Sequence, residues 1–160
     1  MSLDALFGAR TALIVPDVGI TVELPELTRY ALYDRGSYEH APIDPAQLGE
    51  LARIASHHTG RTLAVEEARV LRLGPGDYLL AHHDRVYEGH PIEAVLDLSP
   101  APVAGAEVHY RRRGQVFFRF PSQPGALALV ERGPTVTCNH TYITKRVAGA
   151  VVIRVLARLR

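Results

Sequence analysis

From Gly60 to the C-terminus the sequence breaks into eight short apolar-rich runs separated by glycine and proline, and few folds accept that texture. The runs are Leu63–Leu73, Tyr78–His83, Ile92–Leu98, Ala106–Arg111, Gln115–Phe120, Ala126–Glu131, Val136–His140 and Ala150–Leu159. Between them stand Gly74-Pro75-Gly76, Gly89, Pro100 to Gly105, Gly114, Pro121 to Gly125 and Gly133-Pro134. Short runs bounded by such breakers read as β-strands. Eight of them at near-regular spacing, after one helix, predict a mainly β protein: a double-sheet jelly roll with the helix on an outer face. With 160 residues, 47% of them apolar and 22% charged, the chain suits one core. No repeat, low-complexity tract or linker divides it. One domain over residues 1–160 is therefore expected, with N-terminal strands and helix (1–60) packed on a barrel core (61–160).

The helix is well marked. Asp44 is an N-cap residue, Pro45 occupies the first helical position, and Gly60 is a stop. Leu48, Leu51, Ala52, Ile54 and Ala55 recur at helical spacing as a buried stripe. His57 and His58 fall in the last turn, where the helix dipole favours them and a structural role suffices. Upstream, Thr11–Val15 and Ile20–Leu24 read as strands. Tyr30, Leu32, Tyr33 and Gly36 fit either a strand and turn or a short helix.

Chemistry concentrates in Leu80-Ala81-His82-His83-Asp84. On a strand running through this stretch, His82 and Asp84 share a face and His83 takes the other. An imidazole and a carboxylate side by side are two legs of a divalent-metal site. His140, at the end of a late strand that a jelly roll brings beside an early one, is the best third leg. Two histidines and a carboxylate on one side of a metal leave its other positions open, as in mononuclear non-haem iron sites. Each residue also has a plain alternative: a histidine bonded to a backbone carbonyl, or an aspartate capping a turn.

The surrounding sequence resembles the 2-oxoglutarate/Fe(II)-dependent oxygenases of the prolyl-hydroxylase type. Arg72 to Asp84 is similar to that family's Pro-Gly turn and hydrophobic strand leading into His-x-Asp. Ala94 to Ser99, Gly105 to Val108 and Pro124 to Leu129 are similar, in order, to three later strand and turn motifs. The likeness spans roughly residues 69–158. It implies a double-stranded β-helix, the cupin-like form of the jelly roll, with Fe(II) held by His82, Asp84 and His140, the catalytic centre. It also implies 2-oxoglutarate as co-substrate, its far carboxylate held by a basic residue on the last strand.

Two arginines compete for that anchor. Arg146 follows His140 by six positions, short of the family's usual ten or so, whereas Arg154 follows it by fourteen, a spacing some branches use. In Val151-Val152-Ile153-Arg154-Val155, alternation puts Val151, Ile153 and Val155 on an apolar outer face and Arg154 inside with Val152 and Leu156. An arginine fork can hold a carboxylate bidentately, and a charge inside a barrel is costly unless an anion meets it. Where the family often has tyrosines, this chain has Leu73 and Asp97; Tyr78, on the face of His82 and Asp84 by alternation, is expected to supply a co-substrate hydroxyl instead.

The remaining features exclude more than they assign. Lys+Arg number 18 against 17 Asp+Glu, so no nucleic-acid or membrane partner is expected. Arg111-Arg112-Arg113 before Gly114 reads as a solvated hairpin turn. His90 and His109 read as loop and strand-surface residues, and His83 is excluded as a ligand by its face. Cys138 is the sole cysteine and shares His140's strand face, ruling out internal disulfides and Cys-rich zinc sites. No segment reads as a signal peptide or membrane span, so a cytoplasmic setting is expected. The expected activity is hydroxylation of a small molecule or protein side chain. A metal- or ligand-binding module without oxygen chemistry, and a metal enzyme without 2-oxoglutarate, are the alternatives.

Overall fold

The structure is a computed structural model, and it describes residues 11–81 and 87–160. Three strands precede the helix: β1 (Ala12–Val15), β2 (Thr28–Leu32) and β3 (Gly36–Pro42). Helix α1 (Gly49–Thr59) is followed by β4 (Val65–Leu73), β5 (Tyr78–Leu79), β6 (Ile92–Asp97) and β7 (Val108–Arg112). Then come β8 (Gln115–Phe120), β9 (Leu127–Glu131), β10 (Val136–His140) and β11 (Val152–Leu159). All pairings are antiparallel, in the order β1-β9-β6-β11-β4-β3-β5-β10-β7-β8, with β2 added onto β3. Two four-strand runs, β9-β6-β11-β4 and β5-β10-β7-β8, face each other through the β3 link. This is the expected double-stranded β-helix.

Alternation sorts the side chains into two cores. Val152 and Leu156 of β11 point inward with Leu71, Leu73, Val95, Val108 and Tyr110. Val155, Ala157 and Leu159 of the same strand point outward onto Leu51, Ile54 and Ala55 of α1. Burying each valine, leucine and isoleucine among them contributes about 1.5–3 kcal/mol.

The helix departs from expectation at its start. Asp44 does cap, accepting a hydrogen bond from the Ala46 N–H at 2.9 Å, but residues 45–48 form a 3₁₀ turn and α geometry begins at Gly49. Gly60 ends the helix at φ +71°, its N–H bonded to the Ser56 carbonyl. Residues 28–42 resolve to the strand-and-turn alternative, whereas residues 20–24 form no strand. Arg113 and Gly114, both at positive φ, make the two-residue β7–β8 turn, the backbone twist such hairpins prefer.

The second barrel run is shorter than expected. Strand geometry stops at Leu79: Leu80 N–H still donates to the Arg35 carbonyl at 2.8 Å in register with β3, but the Arg35 N–H turns back to the Leu32 carbonyl at 2.9 Å and does not return the bond. Gly36 makes this crowded junction possible, since a β-carbon there would sit 2.9 Å from the Tyr78 carbonyl oxygen. Residues 82–86, including His82, His83 and Asp84, lie outside the described residues.

Candidate active site

His140 closes β10, opposite Val108 on one side and Leu79 on the other, which turns its ring into the barrel. Arg154 lies on β11 opposite Leu71 and Asp97. Both are buried, 2% and 1% exposed. The alternation reading of β11 thus describes the observed strand, and Arg146 is exposed on the preceding loop.

The two buried residues touch. Arg154 donates through Nη1 to His140 Nδ1 at 3.0 Å and through Nη2 to the Ala106 carbonyl at 3.1 Å. Its Nε–H has no acceptor among the described residues. Asp97 stands opposite Arg154 in the ladder but does not pair with it. The Asp97 oxygens accept the Ser99 N–H at 2.9 Å and the Gln123 N–H at 2.8 Å. Burial pushes Arg154 down to about 10, with the Asp97 charge the main opposing influence, so the guanidinium stays charged at neutral pH. A buried cation without a carboxylate contact costs several kcal/mol. Folding alone has no reason to put it there.

His140 lies well below the ordinary histidine range, first because it is buried and then because Arg154, Arg69 and Arg132 surround it with positive charge. It is a neutral imidazole at physiological pH, the form a metal ligand needs. Arginine can only donate, so Nδ1 is the acceptor and the neutral ring carries its proton on Nε2. A metal bound at Nε2 would require that proton on Nδ1, turning acceptor into donor and breaking the bond to Arg154. The residues therefore fit a metal and an anion together: ligation at His140 would free one Nη of a buried guanidinium that has no carboxylate partner among the described residues. Among the described residues no three His, Cys, Asp or Glu side chains gather around one point. His82 and Asp84 are not among them.

Tyr78 stands elsewhere. Leu79, as the partner of His140, shares its inward face, so Tyr78 points outward and donates its hydroxyl to the Tyr33 carbonyl at 2.6 Å. The alternation that grouped Tyr78 with His82 and Asp84 needs a strand through residue 84, and β5 ends at Leu79. Leu73 lies in the inner core opposite Val152. Cys138 lines the same interior as His140, and His109 is occupied with Glu107 at 2.8 Å.

One buried group was missed. Tyr110 donates its hydroxyl to Glu93, which also receives Arg132 Nη1 at 3.0 Å, while Arg132 Nη2 donates to the Val136 carbonyl at 3.2 Å. The signal was available: Ile92, Ala94 and Leu96 claim one face of β6, which forces Glu93 and Asp97 together onto the inner one. Above these groups the barrel opens into a cleft of about 290 Å³ whose lining includes Tyr38, Arg69, Leu79, Glu93, Leu156 and Arg158.

No family model and no curated protein sequence matches the chain. Solved structures do share its fold. An oxidoreductase of the 2OG-Fe(II) oxygenase family from Burkholderia pseudomallei is 12% identical, with a TM-score of 0.66 over 98% of this chain and 88% of that one. A prolyl-4-hydroxylase from Pseudomonas putida is 15% identical, with a TM-score of 0.63 over 99% and 98%. A prolyl hydroxylase from Trichoplax adhaerens, solved with a hypoxia-inducible-factor peptide, is 11% identical, with a TM-score of 0.66 over 98% and 86%. This chain thus has the double-stranded β-helix fold of the 2-oxoglutarate/Fe(II) oxygenases, prolyl hydroxylases among them.

Proposed function

We propose that the protein is a 2-oxoglutarate- and Fe(II)-dependent oxygenase, with His82, Asp84 and His140 holding the metal and Arg154 holding the far carboxylate of 2-oxoglutarate. The observation that carries this reading is the buried guanidinium of Arg154, in contact with His140 and without a carboxylate partner among the described residues. Fe(II) with 2-oxoglutarate supplies the oxygen-activating chemistry that hydroxylates a C–H bond. The chain supplies the rest. His140 is kept neutral by burial, moves its ring proton from Nε2 to Nδ1 on ligation, and releases Arg154. The released fork meets a carboxylate in a dry site, where such a bond is stronger than in water. Leu71, Leu73, Val95 and Val152 exclude water from the interior around it.

Anaerobic titration of the Fe(II)-loaded protein with 2-oxoglutarate tests this by the visible charge-transfer band of the chelate. The band is expected in the wild type, absent in His82→Ala and weakened in Arg154→Lys. Metal binding without a band would favour a second reading, a cupin-like module that binds metal or a small ligand without oxygen chemistry. Leu73 and Asp97 support that alternative, because both serve the scaffold where oxygenases often have tyrosine hydroxyls. The substrate, in the first reading, is a small molecule or a protein side chain.

A further inference from the structure

Among the described residues, the cleft at the barrel mouth is lined by four charged side chains, and three are paired. Arg158 meets Glu67 at 2.9 Å and Glu66 at 3.3 Å. Glu93 is held by Arg132 and Tyr110. The fourth, Arg69, is half-buried and has neither a carboxylate nor a hydrogen-bond partner among the described residues; its one contact is the Tyr38 ring, 5.9 Å from the guanidinium carbon. Among the described residues, Arg69 is thus the one charged side chain of the cleft without an ionic partner.

Its position is specific. Arg69 shares the inner face of β4 with Leu71 and stands opposite Leu156, while Arg154 stands opposite Leu71. One inward step along β4 and one strand across separate the two arginines, roughly 8 Å between α-carbons. Arg69 is the outer member of the pair and Arg154 the inner one, and His140 feels the charge of both.

We infer that Arg69 is an anion-binding residue at the mouth of the site and that the substrate carries a carboxylate seated on it. The word substrate rests on the oxygenase reading; the anion site does not. Tyr38 and Leu79 supply the apolar walls that pack the carbon skeleton of such a ligand, while Arg69 fixes its charged end. A guanidinium beside an aromatic ring already has its stem held, so little side-chain entropy is lost on meeting the anion.

The test titrates acetate into the metal-free ¹⁵N-labelled protein and follows the arginine Nε–H resonances, with Arg69→Lys and Arg154→Lys for assignment. Saturable movement of the Arg69 signal is expected, with acetate binding at that site at least about tenfold weaker in Arg69→Gln and retained in Arg154→Lys. Non-saturating movement, or saturable binding indifferent to both Arg69 variants, would overturn the inference. A second arm measures 2-oxoglutarate affinity from the charge-transfer band. A change within about twofold in Arg69→Gln assigns the anion to the substrate; a tenfold loss would give Arg69 to the co-substrate and overturn the substrate assignment. A band without an Arg69 acetate site sinks only this inference. An acetate site without a band sinks only the oxygenase reading.

Discussion

Arg154 and His140 hold each other by a bond that metal ligation at Nε2 must break. The 3.0 Å contact puts the histidine proton on Nε2, where a metal would bind, and spends one of the guanidinium donors on an imidazole. Arg154→Met removes a charge that has no carboxylate partner among the described residues. Methionine removes the cost of burying that charge but leaves the Ala106 carbonyl and His140 Nδ1 without a donor, two effects of opposite sign. The variant is expected to unfold in urea within about 1 kcal/mol of the wild type while losing 2-oxoglutarate binding at least a hundredfold. A loss of several kcal/mol would show that Arg154 serves the fold first.

The same burial makes stability depend on pH. His140 sits well below its ordinary value, so below about pH 6.5 the unfolded chain takes up a proton that the folded one excludes. More protons on the unfolded side means that stability falls as pH falls. The metal-free wild type should lose about 1.4 kcal/mol per pH unit below 6.5 relative to His140→Gln, until the folded pKa is reached. His40 and His58 are also pushed down by burial, but they are present in both proteins and cancel in the difference. Urea midpoints measured from pH 7 to pH 5 give the comparison directly. Parallel curves would mean that His140 is hydrated.

Asp97 shows how a familiar position can be reused. Its carboxylate gathers the Ser99 and Gln123 amides and so ties the loop after β6 to the loop before β9. Asparagine offers only one oxygen, leaving one of those amides facing an NH₂ group. Asp97→Asn should cost about 1–3 kcal/mol by chemical denaturation. Asp97→Tyr, the family-like residue, should cost more, because it removes both acceptors from a buried site. A family-like variant as stable as the wild type would refute this account.

What the sequence revealed follows from which forces are local. The β11 alternation around Arg154, the Asp44 cap and the Gly60 stop are set by neighbours in the chain, and each is found where expected. Tyr78 falls on the other face because its side depends on where β5 ends, and the partner backbone at Arg35, over forty residues upstream, turns back there to Leu32. The bond between His140 and Arg154 and the place of Arg69 beside Tyr38 and opposite Leu156 depend on strand register across the barrel, which no window of sequence contains. Glu93 lies between these cases. Its face was legible, but its partners were not.

The Glu93 network makes the last prediction. Tyr110 is fully buried, and burial is the main reason its hydroxyl lies well above the ordinary tyrosine range; it stays a donor to Glu93 at any physiological pH. Removing that hydroxyl leaves Glu93 still bound to Arg132, so the carboxylate is not stranded. Tyr110→Phe should therefore cost only about 0.5–1.5 kcal/mol, the net worth of one hydrogen bond. Arg132→Met instead takes away the cation that meets Glu93 inside the barrel, and should cost about 3–5 kcal/mol. The double variant Arg132→Met with Glu93→Gln should recover much of that loss, since the penalty lies in the unpaired charge. Denaturation of the four proteins forms a cycle, and strict additivity would show that Glu93 and Arg132 do not depend on each other.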